Sequence, residues 1–346
     1  LLINSNKIHN SHGSATSVTG AVYALYASSN DANSLNPNNW VNNAVYDITT
    51  NGTIYAVYNF GSDNHNYINN TISLDHSAST GGTTRGIYQS STAAGVNIIN
   101  NNISITRGGS GTKHGIYLNT PASTITASHN NIFMNSAGTG AQHVGRDNAT
   151  DRTSMTDWTG TAFGTASIGA DPMFINVSND LTPLSDSLDN MGTPISGLTT
   201  DINGNPRSTT TPDIGAVEFT APELVPFMED FQTFGTSTSI GTNGWTRTAA
   251  TNPRFQSGSS TGSSGTGPAA DHTIGAGGTF VYLETSSSTL GNSDTLVSPQ
   301  IFLGSNDTTV YLEYWYHMHG ATMGALEVYV DTNGTLIPIS SFTGQQ

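Results

Sequence analysis

Short apolar–polar alternations separated by turn residues run through the first two thirds of the chain. One tetrad recurs as Gly20-Ala21-Val22-Tyr23, Tyr55-Ala56-Val57-Tyr58, Arg85-Gly86-Ile87-Tyr88 and His114-Gly115-Ile116-Tyr117, its tyrosines 35, 30 and 29 residues apart. A second motif follows each copy: Asn43-Ala44-Val45, Asn70-Thr71-Ile72-Ser73-Leu74, Asn102-Ile103-Ser104-Ile105 and Asn131-Ile132-Phe133-Met134. Asn6-Lys7-Ile8 reads as one more copy. Alternation over four or five positions is the period of a strand with one buried face. The Asn, Gly, Ser and Thr between the motifs are turn residues, and no stretch carries helical spacing of useful length. A repeat of about 30 residues with short strands cannot bury its apolar face alone, whereas stacked coils can. Residues 1–219 are therefore predicted to form a right-handed parallel β-helix.

Asparagine has a place in such a solenoid. The chain holds 35 Asn, 30 of them before residue 206. Asn tolerates left-handed turns, and equivalent amides in stacked coils can hydrogen-bond along the axis. Asn100-Asn101-Asn102 aligns with Asn69-Asn70 and Asn130-Asn131 ahead of the apolar strand, so an inward or corner ladder is expected. The alternative is a row of sugar-binding amides. An insertion, Ser28 to Trp40, lengthens one coil. Such insertions project as loops that often bind, and Trp40 is either a sugar-stacking platform or packed against the flank of the helix.

Charge narrows the function classes. There are 9 Lys and Arg against 24 Asp and Glu, a formal charge of −15. A chain this acidic does not grip nucleic acid through phosphates, nor is it drawn to anionic lipid. Its longest apolar runs are a few residues, so no membrane insertion is expected. The absence of Cys excludes disulfides, thiolate-bound zinc and thiol catalysis. Both ends read as interior to a longer protein. Leu1-Leu2-Ile3-Asn4-Ser5-Asn6 resembles the middle of a strand-and-turn pattern, and Gln346 falls just after an apparent hairpin.

Further along, Asp171-Pro172-Met173-Phe174, Leu181-Thr182-Pro183-Leu184, Asp201-Ile202-Asn203-Gly204-Asn205-Pro206-Arg207 and Pro212-Asp213-Ile214-Gly215-Ala216-Val217-Glu218 follow one another. The order D-x-x-G-x-x-R, then P-D-I-G-A-x-E, resembles the C-terminal portion of a family of secreted bacterial β-helix proteins. A cap at about 170–219 suits the need of a solenoid end to hide its open edge. Arg207 is expected to pair with Asp213 or Glu218.

After a Pro-bearing linker at 220–226 the composition shifts towards Gly, Ser and Thr. Residues 227–346 resemble the MAM domain. The resemblance runs through Phe231, Gly244-Trp245, Gly267-Pro268-Ala269-Ala270-Asp271-His272-Thr273, Gly278 to Glu284, Leu296-Val297-Ser298-Pro299, Leu312 to Gly320 and Gly324 to Val330. It implies a jelly-roll β-sandwich that mediates adhesion or protein contact, so the whole chain is expected to be all-β. The pattern agrees: Val310 to Tyr316 and Ala325 to Val330 alternate as strands. Asp331-Thr332-Asn333-Gly334 signals a hairpin ahead of Leu336 to Ile339. Some MAM domains bind a cation, which implies Ca2+ held by Asp271 with Glu284, Glu229 or Asp230. The alternative is that Asp271 and His272 cap a turn. The paired cysteines of the animal family are missing here.

Catalytic candidates are sparse: Asp63 with His65, Asp75 with His76, Lys113 with His114, and Asp147, Asp151 and Arg152. Seven His lie in the repeat region without metal-site periodicity, and no catalytic residue is assigned. The pairing of a β-helix with a Cys-free MAM-like domain resembles large surface proteins of Bacteroidetes bacteria. That resemblance implies secretion to the cell surface through the type IX system. It also implies O-glycosylation at Ser187, Thr295 and Thr308, each after an Asp. The expected function is a non-enzymatic extracellular surface protein or adhesin, with the β-helix as stalk and the MAM-like domain as protein or glycan contact module. The alternatives are a polysaccharide-active lyase or hydrolase, and cargo of a secretion assembly.

Overall fold

Three parallel sheets, visited in turn by each coil, build the N-terminal unit. The computed structural model describes every residue except 13–17, 120–123, 239, 250–252, 286–287, 290, 304–308, 321–322 and 333. It divides into Leu1–Ala221 and Pro222–Gln346. The first sheet joins Leu2–Asn4, Asn38–Val41, His65–Ile68, Val96–Ile99 and Ile125–Ser128. The second joins Lys7–Ile8, Ala44–Val45, Thr71–Leu74, Asn102–Ile105 and Asn131–Met134. The third joins Val22–Ser28, Ile54–Phe60, Thr84–Ser91, Lys113–Leu118 and Gln142–Asp147, with Thr150–Arg152 added antiparallel at its edge. The parallel β-helix expected of the repeats is present, of about four turns.

The first sheet went unseen in the sequence because no loop separates it from the second. Asn42, Asn69, Asn100 and His129 turn that corner in the left-handed region, with φ of 53°, 52°, 57° and 52°. Two residues suffice, the first of them left-handed, so the first strand lies directly ahead of the motif. Inside, like sits on like. Ile8, Val45, Ile72, Ile103 and Ile132 form one file, and Trp40, Tyr67, Ile98 and Ala127 form another that tapers along the axis. The Gly of the tetrad is a packing requirement: a Cβ on Gly115 would come within 2.2 Å of the Ile132 side chain.

Register corrects one alignment. Tyr23 pairs with Tyr55 and Tyr26 with Tyr58, so the first tetrad is Tyr23-Ala24-Leu25-Tyr26, not Gly20 to Tyr23. Both windows match the motif; burial chooses between them by laying Val22 on Ile54 and Leu25 on Val57.

The expected Asn ladder is continuous. Nδ2 of Asn6, Asn43, Asn70 and Asn101 donates to Oδ1 of the next Asn in the file, ending at Asn130, at 2.9–3.0 Å. The same Oδ1 atoms also accept the backbone N–H of the preceding rung, and Ser167 Oγ takes the last N–H. Asn43 to Asn130 are at most 1% exposed. Two cations are equally buried without a carboxylate among the described residues. Arg107 donates to the carbonyls of Thr50, Gly52 and Gly82 and to Thr84 Oγ1. Lys113 Nζ donates to Gly109 and Gly111 carbonyls.

Residues 170–219 do not cap the end of the stack. A one-turn helix, Met155–Thr159, N-capped by Ser154, buries Trp158 in the core there. The later segment instead runs along the flank, over the outer face of the second sheet. Leu181 packs on Ala44 and Tyr46. Asn69 Nδ2 donates to the carbonyls of Asp213 and Gly215, and Ala216 N donates to Thr71 Oγ1. Gly215 is required by this approach, at φ 104° and with Asn102 Cβ 2.9 Å from where its own Cβ would stand. Buried Arg207 bonds Glu218 at 2.9 Å, as expected, and also Asn42 Oδ1 and the Gly215 carbonyl. The end is also met by residues 165–168, which bridge Ser128 to Thr165 and Asn131 to Ile168, whereas the second sheet offers a whole face to cover.

In the second unit Glu223–Leu224 pairs with Ile301–Phe302, so part of the expected linker is a strand. Thr246–Arg247 pairs with Leu296–Val297 and Phe255–Gly258 with Phe280–Leu283. The expected hairpin is Ala325–Thr332 with Thr335–Thr343, bulged at Val328/Tyr329; Asn333 of its turn lies outside the described residues. Val310 to Tyr316, expected as a strand, has no ladder partner among the described residues and stays irregular and exposed. Alternation alone does not make a strand when no neighbour satisfies its backbone.

Replacing Asn101 by Ala removes its bonds to Asn70, Asn130 and the Tyr67 carbonyl and orphans buried partners. Each unsatisfied group costs about 1–3 kcal/mol. The expected outcome is a loss of more than about 3 kcal/mol in urea unfolding; a change below about 1 kcal/mol would mean the ladder is not what holds the corner.

Candidate functional site

The third sheet carries its side chains outward in two files. The first is Tyr23, Tyr55, Arg85, His114 and His143. The second is Tyr26, Tyr58, Tyr88, Tyr117 and Arg146. Two inward residues lie between the files in each strand, as Ala56-Val57 does, so the outward residues are spaced by three rather than two. Tyr26, Tyr58 and Tyr88 stack at centroid distances of 4.9 and 4.7 Å, and Tyr117 meets Tyr88 edge-on at 5.1 Å. The Arg85 guanidinium lies over Tyr88 and Tyr117, 3.9 and 3.8 Å from their centroids, a cation–π arrangement.

At the C-terminal edge these files meet a carboxylate. The Gln142–Asp147/Thr150–Arg152 hairpin puts Asp151 opposite Arg146. Asp151 Oδ1 accepts from Arg146 Nη1 at 2.7 Å and bonds His114 Nε2 at 3.0 Å, and His143 Nε2 stands 3.9 Å from Oδ2. Burial raises the Asp151 carboxyl, but hydrogen bonds from Arg146 and His114 and the nearby positive charge outweigh it and hold it below the usual range. Burial pushes His114 down to about 4, with His143 and Arg85 adding to the shift and Asp151 opposing it. His114 is thus neutral at physiological pH and donates Nε2–H to Asp151.

His114, His143 and Asp151 bring their ligand atoms within 4.8 Å of one another, the one such group of three among the described residues. Imidazole and carboxylate suit zinc. Against this, Arg146 already occupies Asp151 Oδ1, and the Nδ1 atoms of both His are buried without partners, whereas ligating imidazoles are oriented through that atom. The cluster fits a hydrogen-bonded ion pair better than a metal centre.

Of the residues singled out in the sequence, His114 and Asp151 come together, joined by His143 and Arg146. Lys113 points inward. His65 is buried against Asn38 and the Asn30 carbonyl, and Asp63 Oδ1 accepts Ala94 N. Trp40 corrects the platform expectation: at 4% exposed and edge-on to Tyr67 at 5.5 Å, its ring belongs to the core. Asp271 Oδ2 accepts from Thr273 N and Ile274 N, which caps a turn. Glu284 follows Phe280–Leu283, and neither it nor Asp271 joins a group of three ligand side chains among the described residues. Ser187 and Thr295 are exposed, and Thr308 lies outside the described residues. In the sequence the tyrosines mark the repeat. Their recurrence as a pair three apart, in Tyr23/Tyr26 and Tyr55/Tyr58, was the available signal for an aromatic face.

In the second unit the two most specific motif segments meet: the His272 ring stacks on Trp315 at 3.6 Å. Residues 233–346, about a third of the chain, match the MAM domain family (MAM domain, meprin/A5/mu). The chain thus joins a β-solenoid to a MAM domain, a β-sandwich. No solved structure matches the chain.

The His114 shift has a pH signature. The unfolded chain takes up this proton near pH 6.5 and the folded one near 4, so between them the unfolded state binds more protons and acidification destabilises the fold. Asp213, raised by burial to about 6, acts with the opposite sign over much of that window, so the test is a difference. The Tm of the unsubstituted chain is expected to fall relative to that of His114→Gln as pH drops from 6.5 to 4. Parallel curves would remove the assigned shift.

Proposed function

We propose that this protein is a non-enzymatic extracellular surface protein or adhesin, in which the β-helix is the scaffold and the MAM domain the contact module for protein or glycan. The observation that carries this reading is the MAM match at 233–346, since MAM domains mediate adhesion and protein interactions. The solenoid supports it as a scaffold whose backbone and buried amides are committed to stacking. Bacterial origin, export to the cell surface through type IX secretion, and glycosylation of Ser187, Thr295 and Thr308 belong to the same proposal. They rest on the resemblance to Bacteroidetes surface proteins. Calcium at Asp271 belongs to it as well.

Beads coated with the full chain are expected to adhere to cell surfaces or matrix. Trp315→Ala, which unstacks His272 at an exposed position, should reduce adhesion several-fold. No reducing ends or unsaturated products should accumulate from plant or algal polysaccharides. Sustained turnover would replace this reading by the polysaccharide-active alternative.

A further inference from the structure

We infer that the outer face of the third sheet binds a carboxylate-bearing polysaccharide, with Arg85 receiving a uronate carboxylate and the tyrosines beside it receiving sugar rings. This rests on the proposed extracellular setting only for where such a polymer would be met; the surface is argued from the first unit alone.

The other two outer faces differ: one is covered and one carries amides. Residues 174–218 cover the second sheet. The first carries an amide file in which Asn97 donates to Asn66 and Asn66 to Asn39, each at 2.7 Å. The third sheet has an aromatic surface, on which Tyr55, Tyr58, Tyr88 and Tyr117 are half-buried. Rings held by strand backbone give broad contact at little conformational cost, and a pyranose has an apolar face of matching size.

Charge selects the kind of sugar. Of the solenoid's cations, Arg107, Lys113 and Arg207 are buried and hydrogen-bonded to their own chain. Of the four that remain, Lys7, Arg85, Arg146 and Arg152, three lie on this sheet, in a chain of formal charge −15. Arg146 and Arg152 have Asp partners. Arg85 has neither an ion pair nor a hydrogen bond among the described residues, and its Nε is buried without a partner. Held against two rings at 3.9 and 3.8 Å from their centroids, it is a positive charge waiting for an anion. The same face shows how a carboxylate sits there, because Asp151 is gripped by Arg146 and His114. Arg85 and Arg146 stand two strands apart in different files, and both guanidinium carbons lie near the Tyr117 ring, 3.8 and 5.3 Å from its centroid. A neutral glycan would leave Arg85 uncompensated, whereas a uronate chain supplies an apolar ring face and a carboxylate together, and the guanidinium fork suits a carboxylate.

The test is binding of the full chain to immobilised polygalacturonate, dextran and polyglutamate by biolayer interferometry, at low and high salt. Polygalacturonate is expected to bind at least tenfold tighter than dextran or polyglutamate and to weaken with salt. Arg85→Gln should reduce that binding at least tenfold with Tm unchanged, and Arg85→Lys should restore part of it. Should Arg85→Gln fail to fold, Tyr58→Ala, at a half-buried ring stacked on Tyr88, should still weaken binding several-fold. Equal binding of dextran, equal or tighter binding of polyglutamate, or indifference to these substitutions would overturn the inference. Because adhesion in the bead assay is lost through Trp315 and polysaccharide binding through Arg85, either reading can fail while the other stands.

Discussion

Stacking of identical positions along the solenoid axis, sealed by the asparagine ladder, is the constraint on which the first unit depends. A coil corner must bury backbone N–H and C=O groups that neither adjoining strand can pair. Each ladder amide answers this by accepting from the backbone and side chain of one neighbouring rung and donating to the next. Because a buried polar network is favourable only when complete, the ladder also fixes register: a slip of one residue would break every rung at once. The tapering interior file and the isoleucines facing Gly115 are then held to a single arrangement.

The same logic governs charge. With few ionisable groups, the chain places Arg107 and Lys113 in cages of backbone carbonyls instead of beside carboxylates. Arg107 thereby ties its own coil to carbonyls of the two coils before it. Burying a cation in this way is tolerable only when its donors are satisfied, and the Gly-rich turns supply the acceptors at close range. One result is that exposed positive charge is concentrated on the third sheet, beside the tyrosines.

The segment after the last coil has a lateral role. It lies over the second sheet, with Gly215 close against Thr71 and Asn102 and Arg207 bonded to the corner residue Asn42. Residues far apart in sequence are thus joined across several coils, which gives a nearest-neighbour architecture some long-range coupling. The second unit is organised differently. Its described strands pair two by two, and its aromatic residues, Phe231 with Trp245 and His272 with Trp315, connect segments between strands.

The amino-acid sequence by itself determined that the chain is β throughout, that the first unit is a stacked parallel coil with an Asn ladder, and that a MAM domain follows. Periodicity, turn chemistry and motif order are local properties, and each repeat states them again. Tertiary structure alone decided the rest. It placed a second strand ahead of each apolar motif, across a corner turned by a left-handed Asn or His, and shifted the first tetrad to Tyr23–Tyr26. It drew Trp40 into the core, sent residues 170–219 along the flank, and set Arg85 upon Tyr88 and Tyr117 beside the His114–Asp151–Arg146 cluster. Those outcomes depend on which residue of one coil lies over which residue of the next. Several registers satisfy the local pattern equally, and only the simultaneous filling of the interior and pairing of every buried amide selects among them.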